Sequence, residues 1–325
     1  EITILSYNVE NLFDDSSNGN EYPDYDPGEE TWNTTLYQTK SMHIAEAIKT
    51  AVQGGPDILA LQEIENENTL LELRDTHLKN KRYLYHAFVP AHEAAVNTAV
   101  LSRYPITTIK AHAVHLDGSD RLRNILEVHI AVDDTTLFLF NNHWKSKSGG
   151  AEETEPLRVE SAWVVKQRIT AILEEQPDAD IVLAGDFNEN IDEFTRVAGA
   201  YQTAFIPETG SYPDTFTRKS IIYTTNRDHV TEGSGTATFY SCWTDAEAEA
   251  EADGSYYYRG RWETIDNILL SPGLFDERGL RFEGFEVVDH SFLLNEKGLP
   301  YRWNSETKKG YSDHLPIVAT FSVEQ

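Results

Sequence analysis

The stretch Ile181-Val-Leu-Ala-Gly-Asp186-Phe-Asn188-Glu-Asn190 decides how the chain is read. Four apolar or small residues run into Gly185, and a carboxylate and a carboxamide follow, two residues apart. As a buried strand, with side chains alternating at a period of two, this run sets Asp186 and Asn188 on one side just past its end. The ends of sheet strands are where α/β proteins place their chemistry. Alone, the segment reads equally well as a turn, because Gly-Asp is ordinary turn chemistry.

Three other strand-like runs end in the same kind of residue: Ile2-Thr-Ile-Leu-Ser-Tyr-Asn8, Asp57-Ile-Leu-Ala-Leu-Gln-Glu63 and Thr136-Leu-Phe-Leu-Phe-Asn-Asn-His143. A fifth polar cluster, Tyr311-Ser-Asp313-His314, directly precedes the strand-like run from Leu315 to Val323. The combined inventory pairs oxygen donors for a hard cation with imidazoles whose pKa lies near working pH. It points to a metal ion and proton transfer more strongly than any one member does.

Between these runs the pattern alternates helix and strand. Leu36 to Val52 has helical spacing and is stopped by Gly54-Gly55-Pro56. A further helix is expected at about 67–80, and a strong amphipathic one from Pro156 to Glu175, ended by Pro177. Tyr83–Val89, Thr98–Arg103, Ile106–Val114 and Ile125–Val132 read as successive strands, as do Thr264–Leu270 and Leu280–Val288. Residues 9–36 form a long polar loop, whose acids are either solvated or hold a structural calcium. From about 205 to 262 the pattern dissolves into a long loop excursion that includes the acidic run Asp245 to Asp253. The segments 56–66 and 179–190 echo each other, each an acid-ended strand after an amphipathic helix, which suggests a duplicated α/β half. One domain spanning 1–325 is expected.

Acidic residues number 54 against 27 basic, a formal charge of −27. Such a surface repels nucleic acid and anionic membrane at long range, so a phosphate-bearing substrate needs a local basic patch or a bound cation. No run of about 18 apolar residues is present, so no membrane span is expected. The one cysteine, Cys242, excludes an intramolecular disulfide and any Cys-rich metal site. The absence of an initiator Met at Glu1 fits removal of a leader, and with it a secreted or periplasmic location; an expression product begins the same way.

At this point the sequence resembles the endonuclease/exonuclease/phosphatase superfamily, which includes pancreatic deoxyribonuclease, abasic-site endonucleases and bacterial sphingomyelinases. The resemblance is carried by Ser6-Tyr-Asn8-Val-Glu-Asn-Leu-Phe, Leu61-Gln-Glu63, Asn142-His143-Trp-Lys-Ser-Lys, Gly185-Asp186-Phe-Asn188, Thr264-Ile-Asp266-Asn-Ile-Leu and Ser312-Asp313-His314-Leu-Pro316. These six segments come in the family's order. The fold it implies is a four-layer α/β sandwich, two mixed sheets packed face to face with helices outside and the site at one rim.

The resemblance also implies roles. Glu63 looks like the principal ligand of Mg²⁺, with Asn8 beside it and Asp313 adding to the shell; Mn²⁺ and Ca²⁺ share that oxygen chemistry. Asp186 looks like the residue that orients or deprotonates the attacking water, and Asn188 like an uncharged donor to the scissile phosphate. His143 and His314 look like the pair flanking the phosphate, with Asp266 holding the tautomer of His314. Glu10 falls where abasic endonucleases carry an Asp ligand.

Arg103, Arg121, Arg123, Lys145 and Lys147 cluster near the expected rim and are candidates for substrate phosphate. Tyr256-Tyr-Tyr-Arg259-Gly-Arg261-Trp262 mixes rings with guanidinium groups, for stacking on bases, for a glycan or lipid head group, or for plain loop packing. The expected activity is Mg²⁺-dependent hydrolysis of a phosphodiester by a monomer acting on nucleic acid. A phospholipid head group or phosphorylated sugar is the alternative substrate.

Overall fold

The structure is a computed structural model, and it describes residues 1–116, 122–231, 238–245 and 253–323. In chain order the strands are β1 (Ile2–Leu12), β2 (Ile58–Ile64), β3 (Tyr85–Phe88), β4 (Asn97–Ser102), β5 (Ile106–His112), β6 (Ile125–Val132), β7 (Thr135–His143) and β8 (Asp180–Asp186). Then come β9 (Phe205–Pro207), β10 (Ile221–Thr224), β11 (Thr238–Ser241), β12 (Tyr256–Tyr258), β13 (Arg261–Glu263), β14 (Asp266–Leu270), β15 (Leu280–Val287) and β16 (Ile317–Val323). The helices that matter here are α1 (Thr34–Ala51), α2 (Glu67–Glu72) and α3 (Ala151–Glu175).

Two sheets carry the architecture, one ordered β15-β16-β1-β2-β4-β3 and the other β5-β6-β7-β8-β14-β11-β10-β9; β12 and β13 form a separate hairpin. The alternation of β7 explains the layering. Leu137 and Leu139 join a core shared with residues of the other sheet, whereas Phe138 and Phe140 pack on the opposite side with Val159, Ala162, Val165 and Ile169 of α3. β8 divides likewise, Val182 and Ala184 inward and Ile181 and Leu183 toward α3. A strand buried on both faces by this alternation reads as a continuous apolar run, as 181–184 does. With α1 packed on the first sheet through Ile44, Ala47 and Ile48, the layers run helix, sheet, sheet, helix. This is the four-layer α/β sandwich.

Each sheet sends one parallel strand–helix–strand unit to the site. α1 connects β1 to its parallel neighbour β2, and α3 connects β7 to its parallel neighbour β8. Asn33 caps α1, its side chain accepting from the backbone N–H of Leu36 at 3.1 Å. A buried polar bridge joins the sheets near the rim. Gln62 donates to the Asn141 side chain at 2.7 Å, and Asn141 donates to the carbonyls of Leu61 and Ala99 at 3.0 and 2.9 Å. Every donor in that bridge has a partner, so burying it fixes how the two sheets meet.

Three expectations change. The span 205–262 is not one loop excursion: β9, β10 and β11 extend the larger sheet, and β12–β13 form the hairpin. Strands of three or four residues are too short to show a period, which hides them in the sequence. Residues 246–252 of the acidic run lie outside the described residues. The helix at about 67–80 is α-helical only to Glu72, then widens into a π turn over Leu73–His77 and tightens at Lys79–Lys81. α3 starts at Ala151 rather than Pro156; proline usually opens a helix, but here Glu152 and Glu153 form a first turn ahead of it. Among the described residues no helix is long and apolar enough to cross a membrane.

Candidate active site

β1 and β2 are parallel and end together, as do β7 and β8, and a bond from Asn8 to Asp186 puts both pairs of ends on one rim. Register then places chemistry side by side. His143 pairs with Asp186 across β7 and β8, and Asp186 pairs with Asp266 across β8 and β14. All three share parity with inward residues of their own strands (Leu139, Ala184, Ile268), so they point toward the other sheet.

Glu63 should not. It follows Gln62, and strict alternation would turn it away from the face that Gln62 shares with Asn8, its cross-strand partner. The backbone breaks the alternation: Glu63 has φ +66°, and Glu10 and Asn11 have φ +52° and +58°. The β1–β2 register shifts over this interval. Asn188 is likewise left-handed, at φ +51°. Such backbone is costly for residues with a side chain, by about 1 kcal/mol or more each, and it clusters where side chains must be re-aimed.

The result is a single knot of polar atoms. Asn8 donates from Nδ2 to Glu63 Oε1 at 3.1 Å and to Asp186 Oδ2 at 3.0 Å, linking the ends of both sheets through one carboxamide. His143 Nε2 lies 3.6 Å from Glu63 Oε1 and 3.5 Å from Asp186 Oδ2. Asn188 donates from its backbone to Asp186 Oδ1 at 2.8 Å and from Nδ2 to Asp186 Oδ2 and the Trp144 carbonyl, both at 3.2 Å. On the other flank His314 Nδ1 lies 2.8 Å from Asp266 Oδ2, which also accepts from Ser255 Oγ at 2.5 Å. That leaves His314 Nε2 facing Asp186 Oδ2 at 4.0 Å and Asp313 Oδ1 at 3.9 Å.

The two imidazoles differ in charge. Burial, with Arg123 and His314 nearby, pushes the His143 pKa well below its ordinary value, so this ring is neutral. Burial also opposes charge on His314, but Asp266, Asp186 and Asp313 outweigh it and hold the ring protonated. Burial raises Asp186 to about 7, against the pull of His314, and raises Asp313 above its ordinary value.

Glu63 and Asp186 aim oxygens at the same amide, and among the described residues neither pairs with a Lys or Arg. A part-buried and a buried carboxylate that share one amide and have no Lys or Arg partner fit a hard divalent ion held by oxygen. The three-residue cluster Asp186, Asp266 and His314, with ligand atoms within 4.8 Å of one another, is the other candidate. There the His314–Asp266 bond and the Ser255 hydroxyl share Asp266 Oδ2, while Asp266 Oδ1 is buried without a partner. The Asn8–Glu63 pair, with Asp186 beside it, is the first candidate. Asp313 lies next to His314 and 3.8 Å from Arg302 Nη2.

The basic residues split. Arg123 and Lys145 line a cavity of about 310 Å³ against His143, together with Tyr22, Ser146 and Ser148. Arg103 is not at the site. It is tied to Asp57 at 2.8 Å and to the carbonyls of Gly54 and Lys81. Asp57 precedes Glu63 along β2, which puts Arg103 on the opposite rim, about 20 Å away at about 3.3 Å per residue; β4 runs antiparallel to β2, so its end lies beside β2's start. Lys147 reaches the rim but is paired with Glu193 at 2.7 Å and Glu263 at 3.7 Å. Arg121 lies outside the described residues. Both carboxylate oxygens of Glu10 are taken by Arg302 Nε and the Trp303 N–H, at 2.6 and 3.0 Å, away from Asn8.

Sequence reasoning missed Arg302, Ser255 and the hairpin's contact with His314, where the Tyr256 ring stacks at 4.6 Å and 30°. A tyrosine-rich segment just before the Asp266 motif was the available signal.

Among family models, the one described as "Endonuclease/Exonuclease/phosphatase family" matches residues 3–204. No curated protein matches the chain. Of solved structures, truncated TDP2 from Caenorhabditis elegans is similar over 98% of this chain and 97% of its own, at TM-score 0.56 and 16% identity. The mannosyl-6-phosphatase Bt3783 of Bacteroides thetaiotaomicron is similar over 99% and 100%, at 0.57 and 16%. An endonuclease/exonuclease/phosphatase family protein from Leptotrichia buccalis is similar over 99% and 100%, at 0.54 and 15%.

Proposed function

Because the chain belongs to the endonuclease/exonuclease/phosphatase family, and is therefore a hydrolytic phosphoesterase, we propose that it is a Mg²⁺-dependent phosphodiesterase acting on nucleic acid. The observation that carries this reading is the convergence on Asn8 Nδ2 of two carboxylates from different sheets, with a neutral and a charged imidazole on either side.

In this reading Glu63 and Asn8 hold the ion, the Asn8 carboxamide turning over to present the oxygen that accepts from the Glu10 N–H at 3.0 Å in the structure. Bound there, a divalent cation supplies charge stabilisation to the phosphate oxygens. Asp186 orients the attacking water and takes its proton; a carboxyl raised to about 7 is a base poised for neutral pH. Asn188, uncharged and held by its bonds to Asp186 and Trp144, donates to a phosphate oxygen. His143, neutral, faces the phosphate from the Arg123–Lys145 side. His314, kept protonated by Asp266, hands a proton from Nε2 to the leaving oxygen. Asp313 serves this charge rather than the ion directly. A secreted or periplasmic setting and a monomer complete the proposal.

The chain's charge of −27 favours a second reading, a small phosphoester such as a phosphorylated sugar, the substrate class named for the Bacteroides thetaiotaomicron neighbour. Turnover of plasmid DNA, bis-p-nitrophenyl phosphate, and sugar and lipid phosphates, each with and without chelator, separates the two. Chelator-sensitive nicking of plasmid is the expected result. Intact plasmid alongside consumed sugar phosphate overturns the nucleic-acid assignment.

A further inference from the structure

We propose that the β12–β13 hairpin is the specificity wall of this site and that it binds a nucleobase of the substrate, the ring against Tyr258 and a neighbouring phosphate against Arg259 and Arg261. The inference rests on the phosphoester reading above and deepens it to a nucleotide.

The hairpin is built into the site. The Ser255 carbonyl accepts from the Leu315 N–H at 2.7 Å, and the Ser255 hydroxyl meets the carboxylate that fixes His314. Tyr256 bridges to His314 through the backbone as well as stacking on its ring.

Alternation then sorts its side chains. Tyr257 and Trp262 are cross-strand partners on one face, their rings edge to face at 5.5 Å, and Trp262 packs against the main core. Tyr256 and Tyr258 occupy the opposite face, with Arg261 directly across from Tyr258 and Glu263 across from Tyr256. The anchoring is thus done by Tyr257 and Trp262, and packing gives no reason for an aromatic at 258.

Yet Tyr258 is 48% exposed, and its ring lies 18° from parallel with Tyr256 at 6.3 Å. His314, Tyr256 and Tyr258 therefore form a column of rings leading from the reacting phosphate outward. Arg259 rests over Tyr258 at 5.1 Å. Among the described residues neither Arg259 nor Arg261 pairs with a carboxylate, in a chain with twice as many acids as bases. An exposed ring at the end of a ring column, beside guanidinium groups without carboxylate partners, matches a flat base on a phosphate backbone; stacking is indifferent to which base it meets.

The test compares two ligands that differ only in the ring, thymidine 3′,5′-bisphosphate and 2-deoxyribose 3,5-bisphosphate. Binding is measured by calorimetry to the Mg²⁺-loaded protein carrying His143→Ala, so that the ligand survives. The base-bearing ligand is expected to bind about tenfold more tightly. Adding Tyr258→Ala should bring that ratio toward one, Tyr258→Trp should preserve it, and Arg259→Ala should weaken both ligands alike. A ratio near one before any hairpin change, or a ratio that survives Tyr258→Ala, overturns the hairpin assignment and leaves the phosphoester reading standing. Failure of both ligands to bind overturns the hairpin assignment together with the nucleic-acid reading.

Discussion

The unit β1–α1–β2 and the unit β7–α3–β8 have the same topology and contribute opposite chemistry. In each, a helix returns the chain to a parallel neighbour, and both strands end at the site. The first unit ends irregularly, with a register shift and three left-handed residues, and it supplies oxygen donors, Asn8 and Glu63. The second keeps its register out to His143 and Asp186, and it supplies an imidazole, a carboxyl and Lys145, with Arg123 beside them from the segment before β6. The distortion belongs where a side chain had to change face. Asp186 and His143 already pointed inward by parity, whereas Glu63 did not, and only bent backbone brings it to Asn8. On the proposed reading, a shared architecture is divided into a half that binds a cation and a half that handles phosphate.

This division can be broken most sharply at His143. His143→Ala removes a group from the phosphate half alone, so turnover should fall about 10³-fold, while the divalent-ion concentration giving half-maximal activity stays within about twofold. A large shift in that concentration would show that the halves are not separate. Glu63→Gln asks the converse question. It should raise the half-saturating ion concentration by about 10-fold or more, and excess ion should restore part of the rate. A rate loss that ion cannot relieve would place Glu63 in the phosphate half.

The smallest effect comes from a pair of arginines. Arg123→Ala should raise KM for phosphodiester several-fold, as loss of a phosphate contact does. Arg103→Ala should leave KM unchanged and lower unfolding stability by about 1 kcal/mol, the worth of a partly exposed ion pair with Asp57. Denaturant titration beside the kinetics distinguishes them, and a KM effect at Arg103 would contradict its place on the far rim.

Much of this site could be read before any coordinates, because strand ends and a period of two are local signals. Asn8, His143, Asp186 and Asp266 lie where alternation puts them. Arg103 looked like a rim cation because the sequence shows that a strand ends there but not which way the strand runs; Asp57 as its partner was the overlooked clue. Lys147 shows a different blind spot, since Glu193 and Glu263 cancel it from segments 46 and more residues away. Arg302 reaches Glu10 across 292 residues, a contact with no local trace. The strands β9 to β11 were hidden by brevity, and their place in the sheet comes from pairing with β14 rather than from propensity.

The adjacency of β1 and β16 sets a schedule for synthesis. The strand that carries Asn8 is flanked by one made some three hundred residues later, and His314 sits just before that late strand. Until β16 has been made, β1 lacks one of its two neighbours and His314 is not yet in place. Long-range pairing of this kind is slow to close. Hydrolytic competence consequently waits until β16 has been made and has paired with β1.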